Sequence, residues 1–513
     1  MRFERRAGIL LHPTSLPGKF GIGDLGFEAY NFVNFLEAAG QKLWQVFPLG
    51  PTGYGDSPYQ CFSAFAGNPY IISPEKLKEC GLLSEDDIIN TPTFNPSKID
   101  YGEVIEYKTS LNNRAYNNYK LDKMGLEKEY SGFVEKNHSW LDDFCFFMAA
   151  KDYHKGIEWT KWDKDLVLRK EKALEGWKIK LSDRIDYYRF LQFIFDKQWS
   201  ELKEYANKKG IKIIGDIPIF VAFDSAEVWA QKELFSVSKE GKLLFAAGVP
   251  PDYFSETGQQ WGNPLFNWRE MEKDDFLWWR KRISHLLKLV DIIRIDHFRG
   301  FDAYWEIPGN ALNAIKGRWV KAPGEKFFTT IQKYLGRVPI MAEDLGVITK
   351  SVTALREKYD FPGMKILQFA FGKGMETKFL PHNIPYNSVV YTGSHDNDTT
   401  RGYFDKAKAE NNDSYSHAQK YLNYFGDNIT FELIRAAYKT TADTVIIPMQ
   451  DILNLGGEAR MNFPGTAGGN WAWRFSWDQV PPDLTKTYQE LATLYERPQK
   501  PEEKEVELKI ENP

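Results

Sequence analysis

Along the chain, apolar residues at helical spacing give way again and again to short β-rich runs. "GFEAYNFVNFLEAAG" (26–40) sets its apolar residues on one helical stripe and stops at Gly40, a residue suited to ending a helix, before "KLWQVFPLG" (42–50). The same helix-then-strand order recurs where 186–210 feeds "IKIIGD", 276–290 feeds "DIIRID", 326–336 feeds "VPIMAED" and 351–360 feeds "MKILQFAF". "SVVYTGSHD" (388–396), "TVIIPMQD" (444–451) and "AGILLHPTS" (7–15) have the same strand character.

Eight strands are therefore expected, near 7–11, 43–48, 212–216, 291–296, 338–343, 364–370, 388–393 and 444–449. Strands alternating with helices fit an α/β fold, either a (β/α)₈ TIM barrel or a doubly wound open sheet. Strand ends favour the barrel. Asp216, Asp296, Glu343 with Asp344, Asp396 and Asp451 lie just past the apolar runs, where a barrel gathers its catalytic groups. One such acid is an ordinary helix cap; a set of them, several beside Arg or His, points to a shared site.

More than 160 residues separate the second and third strands, far beyond the roughly 2–6 of a usual βα loop. We expect one catalytic domain spanning 1–513, with a helical insertion at 66–175, a second insertion with a lid loop at 217–290, and a third at 397–440. All three would wall a cleft at the C-terminal rim. Only 64 residues follow the eighth strand, which leaves no room for a closing helix plus a C-terminal antiparallel sheet domain.

Composition narrows the function. Lysine plus arginine number 66 against 70 acids, with no basic run longer than three, so nucleic acid is not an expected partner. No stretch approaches the ~20 apolar residues of a membrane span. Ala7–Leu11 is too short an apolar run for a signal-peptide core, and three cysteines, Cys61, Cys80 and Cys145, cannot all pair. These features predict a cytoplasmic protein. Aromatic residues make up 15% of the chain, and many sit beside Gly, Pro, Asn or Asp in loops, where flat rings can carry sugars.

If Asp296 and Glu343 converge at the barrel mouth, they can run a retaining displacement at a glycosidic bond, which needs carboxyls about 5–5.5 Å apart. Arg294, two residues back on the same strand face, would hold Asp296 ionised, while a less solvated Glu343 keeps its proton. The alternative for Arg294 and Asp296 is a buried ion pair that merely closes the barrel end. The eight histidines lack metal-ligand spacing, "DNDT" (396–399) lacks the rest of a calcium loop, and no GK[ST] or GxGxxG cradle occurs. No metal and no cofactor is expected.

"RIDHFRG", "AEDLG" and "GSHDNDTTRGYF" resemble the carboxylate motifs of the α-amylase clan of glycoside hydrolases. More narrowly, "HPTSLPGKFGIGDLG", "GPTGYGDSPYQCFSAFAGNPY", "GDIPIFVAFDSAEVW", "GVPPDYFSETGQQWGNPLFNW" and "RMNFPGT" are similar to the amylomaltases, the 4-α-glucanotransferases of glycoside hydrolase family 77, from about residue 6 to 475. The resemblance implies transfer of α-1,4-glucan segments, with maltooligosaccharides or amylose as donor and acceptor. Asp296 would be the nucleophile, Glu343 the acid/base and Asp396 the third carboxylate. Asp216 would have a supporting role, His395 and Arg294 would contact glucose and nucleophile, and Tyr59, Asp252, Trp261 and Asn462 would line glucan subsites. Read from their neighbours alone, Tyr59 and Trp261 are equally loop-core aromatics, and Asp252 and Asn462 turn formers. The competing functions are an α-glucan hydrolase on the same carboxylates and a glucan-binding protein with a dead site. Oligomeric state, chain-length preference and pathway are not legible.

Overall fold

The structure is a computed structural model describing residues 3–251, 255–371, 376–466 and 468–497. Its strands in chain order are β1 (Arg6–Leu10), β2 (Leu43–Val46), β3 (Lys212–Pro218), β4 (Phe245–Val249), β5 (Gln259–Pro264), β6 (Ile292–Asp296), β7 (Ala303–Pro308), β8 (Arg318–Lys321), β9 (Ile340–Ala342), β10 (Gly363–Ile366), β11 (Ser388–Tyr391) and β12 (Thr444–Pro448). β1, β2, β3, β6, β9, β10, β11 and β12 close a parallel barrel in that order, so the chain has the TIM-barrel fold.

Burial on both faces explains why these strands are near-continuous apolar runs: all residues of β1, β2, β11 and β12 are buried. Close strand packing also demands a small residue at one point. A Cβ on Gly8 of β1 would lie 2.3 Å from the Leu43 carbonyl oxygen of β2, so only glycine fits. Two indoles buried between the barrel and its helices donate to backbone carbonyls. Trp44 donates to the Leu11 carbonyl at 2.7 Å, and Trp199, on the long helix Ser182–Lys208, donates to Leu289 at 2.8 Å.

The run expected as a strand over 364–370 leaves the barrel at Ile366 and continues as a 3₁₀ turn, Leu367–Ala370. Its polar residue explains the break. Gln368 turns inward and donates from Nε2 to the Asp398 carbonyl at 2.9 Å, which a continuing strand would forbid. The sequence reading also missed a second sheet. β5, β4, β7 and β8 form an antiparallel sheet in that order, drawn from chain on both sides of β6. Between β2 and β3, helices Tyr101–Leu121 and Glu127–Tyr153 stand beside the barrel. After β12 the described residues form the short helix Met449–Ile452, 3₁₀ turns and the helix Leu484–Leu494. Among the described residues no helix is long and apolar enough to cross a membrane.

Candidate active site

Register places the acids. β3 and β6 pair with Asp216 opposite Arg294 and Pro218 opposite Asp296, while β6 and β9 pair with Ile295 opposite Ala342. Glu343 is the next rung of that ladder, its N–H donating to the Ile295 carbonyl at 3.0 Å. Asp296 and Glu343 thus leave adjacent positions on neighbouring strands, which lie roughly 4.8 Å apart.

Arg294 ion-pairs with Asp216 on one side and with Asp296 Oδ1 at 3.1 Å on the other. The side chains of Arg294 and Asp216 are only 4% and 0% exposed, whereas that of Asp296 is 30% exposed. Arg294 and Asp216 therefore sit beneath the floor and Asp296 reaches the surface of it. Burial disfavours the guanidinium charge, but Asp216, Asp296, Tyr59 and Glu343 outweigh this and hold it well above its ordinary range.

Glu343 is held differently. Its Oε2 accepts from the His297 N–H at 2.7 Å and its Oε1 from the Leu345 N–H at 3.0 Å. His297 adopts a left-handed backbone, φ 51°, uncommon outside glycine, and this turns its N–H onto the carboxyl. Burial pushes Glu343 up to about 7, against the opposing pull of Arg294 and the two N–H donors. Asp296 is pushed up too, by burial first and by Asp216, Glu343 and Asp396, with Arg294 opposing. Asp296 and Glu343 are both raised and lie side by side, so the pair retains a proton as a unit.

The third acid comes from the turn after β11. Asp396 Oδ1 accepts from Asn462 Nδ2 at 2.6 Å and lies 3.5 Å from His395 Nε2. Burial pulls the His395 imidazole below its usual range, Asp396 opposing, so the ring is neutral. It stacks on Tyr59 at 5.0 Å, and Tyr59 donates to Asp216 at 2.7 Å. Trp261, on β5, sets its ring edge-on to His297 at 4.9 Å.

Tyr59, Trp261, Asp296, His395, Asp396 and Asn462 are among the residues that wall one cleft of about 370 Å³, with Glu343 beside Asp296 behind that wall. Asp252 lies outside the described residues, as do Tyr253 and Phe254 of the same loop. Two other rim acids lie apart from the cleft. Asp344 pairs with Arg356 at 3.1 Å and caps the Met364 N–H, and Asp451 accepts from Thr392 and Thr400. Among the described residues no group of His, Cys, Asp and Glu could hold a metal ion.

The profile of the family described as 4-alpha-glucanotransferase matches residues 11–479. The chain belongs to that family. Among its relatives, the 4-alpha-glucanotransferase of Thermus thermophilus is 48% identical over 506 residues, covering 97% of this chain and 100% of the relative. That of Synechocystis is 46% identical, covering 96% and 98%. The solved amylomaltase from Streptococcus agalactiae in complex with acarbose superposes with a TM-score of 0.93 at 42% identity, covering 96% of this chain and 100% of that one.

The family's cleft here has further walls that sequence reasoning did not single out. Trp471 packs against both Tyr59 and His395 and takes a left-handed backbone, φ 61°, rare for so bulky a residue. Gln60 Nε2 donates to Asn263 Oδ1 at 2.9 Å, tying the Tyr59 loop to β5. The signal for Trp471 was its place after two glycines in "GGNWAW"; Gln60 carried none.

Proposed function

We propose that this protein is a 4-α-glucanotransferase that moves segments of α-1,4-glucan to the 4-hydroxyl of an acceptor glucan or glucose by a retaining double displacement. The supporting observation is the unequal setting of two carboxyls side by side on neighbouring strands. Asp296 has an arginine at 3.1 Å, whereas Glu343 is held by backbone N–H groups at a pKa of about 7. Burial raises both carboxyls, so the pair retains a proton; the arginine at 3.1 Å from Asp296 favours leaving the charge there and the proton on Glu343.

Asp296 attacks the anomeric carbon, the glycosidic C–O bond breaks, and Glu343 gives its proton to the departing oxygen. In the second half Glu343 takes the proton of the acceptor 4-hydroxyl, and that oxygen displaces Asp296. Asp396, backed by Asn462 and beside His395, holds sugar hydroxyls while the ring flattens. Arg294 and Asp216 fix the nucleophile from beneath, and Tyr59 and Trp261 offer aromatic surface to the sugar. Asp252 belongs to the same reading through its motif alone.

Transfer must outcompete water, which requires a covered cleft and a bound acceptor at high effective concentration. The β4–β5 hairpin and the segment around Asn462 and Trp471 supply that cover. We place the protein in the cytoplasm, with three unpaired thiols as support, and assign it no cofactor, metal, nucleic-acid or membrane partner. Incubation with maltotriose tests the reading: a ladder of longer maltooligosaccharides plus glucose is expected, and products no longer than the substrate would reassign it to hydrolysis.

A further inference from the structure

Asp396 sits in a tight turn whose own bonds do not involve its carbonyl. Ser394 donates from N and Oγ to Asn397 Oδ1 at 2.9 and 2.8 Å, closing the turn around the aspartate. Beside it, the segment after Asn462 is also closed on itself. Phe463 N donates to Asn470 Oδ1 at 2.9 Å, and Asn470 Nδ2 donates to the Thr466 carbonyl at 3.2 Å. Each is a self-contained piece, and Asn462 touches the Asp396 carboxylate from one of them.

Arg460 spans the two. Its Nη2 donates to the Asp396 carbonyl at 2.7 Å, its Nε donates to the Asn462 carbonyl at 2.8 Å, and its guanidinium lies 4.4 Å over the Phe463 ring. Phe463 itself is 45% exposed and forms part of the cleft wall. A planar fork with several donors meets both carbonyls and a ring face at once, which a lysine ammonium on its flexible stem does not reproduce.

Resting on the glucanotransferase reading above, we infer that Arg460 is a positioning residue that sets the third carboxylate and the cleft wall in one geometry. It touches neither sugar nor a reacting atom; it acts through Asp396 and Asn462. The Asp396–Asn462 contact that steadies the carboxylate then exists only while Phe463 stands over the cleft. Removing Arg460 uncouples them, so the transition state loses an aligned carboxylate and the intermediate gains access to water together.

The experiment is disproportionation and hydrolysis of maltotriose by Arg460→Ala and Arg460→Lys, with melting temperature measured alongside. For Arg460→Ala, kcat should fall ~10- to 100-fold with KM changing no more than about threefold, the signature of lost alignment rather than lost binding. Hydrolysis should rise relative to transfer, low millimolar guanidinium should restore part of kcat, and Arg460→Lys should recover little. Arg460→Ala with kcat and product ratio both within about twofold of wild type overturns the inference, as does a loss that follows the melting temperature and ignores guanidinium. If wild type itself makes no ladder, the underlying function fails; if it does and Arg460→Ala matches it, only the role of Arg460 fails.

Discussion

At the base of the barrel, Arg5 and Arg497 donate to the carbonyls of Tyr438, Thr440 and Ala442, on the stretch that leads into β12. At the mouth, Arg294 lies between two carboxylates with two more nearby. Arg294 and Arg497 are withdrawn from water, Arg497 at 0% exposure, and Arg5 is half-buried. Burial and the neighbouring Arg5 push Arg497 down to about 9, whereas the surrounding acids hold Arg294 well above its ordinary range. Neutral carbonyls turn a buried charge into a clamp for the backbone. An excess of carboxylates around a buried charge forces the cluster to keep a proton, and a kept proton is what acid–base chemistry needs.

Paired substitutions at the two ends test that contrast most severely. Asp296→Asn should lower transfer activity by on the order of 10⁴-fold while leaving the melting temperature equal or higher, because an excess buried charge has been removed. Arg497→Met should do the reverse: roughly 1.5–3 kcal/mol less stability, from charge-assisted bonds that Arg5 alone does not replace, at unchanged kcat per folded molecule. Product assays and urea titrations on both variants check this. Loss of stability in the first, or of kcat in the second, would erase the distinction between the ends.

Within the mouth, the shape of the cation matters as well as its charge. Arg294 reaches Asp216 and Asp296 from one Nη1 atom, and its Nε points to Met364 Sδ at 3.2 Å. Arg294→Lys keeps a positive charge on a shorter, differently hydrated head that cannot hold both carboxylates, so kcat should fall on the order of 10²-fold with the fold intact. Steady-state kinetics with circular dichroism would decide it, and retention of more than a tenth of wild-type kcat would mean that charge alone suffices.

The barrel was legible because burial on both faces leaves a strand few polar positions, so eight apolar runs stood out, most of them ending at an acid. The antiparallel sheet was hidden for the opposite reason. β5 reads "QQWGNP" and β8 "RWVK", half-exposed segments without an apolar run, and the two hairpins they belong to are joined by β4 and β7, which are distant in the chain. At the site, Asp296 and Arg294 could be read from strand spacing, since residues i and i+2 share a face. Arg460 and Trp471 could not. Their positions depend on loop geometry, including a left-handed backbone at Trp471 that its side chain does not favour.

Trp261 offers a milder probe of the mouth, because it belongs to the cover rather than to the charge cluster. Its indole donates to Gln259 Oε1 at 3.2 Å and its ring abuts His297. Trp261→Ala should raise hydrolysis relative to transfer severalfold, within the roughly 1–3 kcal/mol of a lost aromatic contact. An unchanged ratio of glucose to longer products from maltotriose would show that acceptor stacking lies elsewhere.

The smallest effect reads the retained proton directly. Glu343 stands at about 7 in the folded chain against roughly 4.3 unfolded, so the folded state binds this proton more tightly. Its contribution to stability is complete below about pH 4.3 and is lost as pH rises through about 7. The same ionisation removes the proton that the leaving oxygen needs, so kcat/KM should fall on an alkaline limb near 7. Glu343→Gln, neutral at every pH, should therefore gain melting temperature relative to wild type between about pH 5 and 8 and level off above. Arg497, cationic throughout that window, supplies the control: Arg497→Met should shift the whole curve downward without changing its slope. A slope in the Arg497 variant that departs from wild type, or no relative gain in Glu343→Gln, would move the titrating proton away from the barrel mouth.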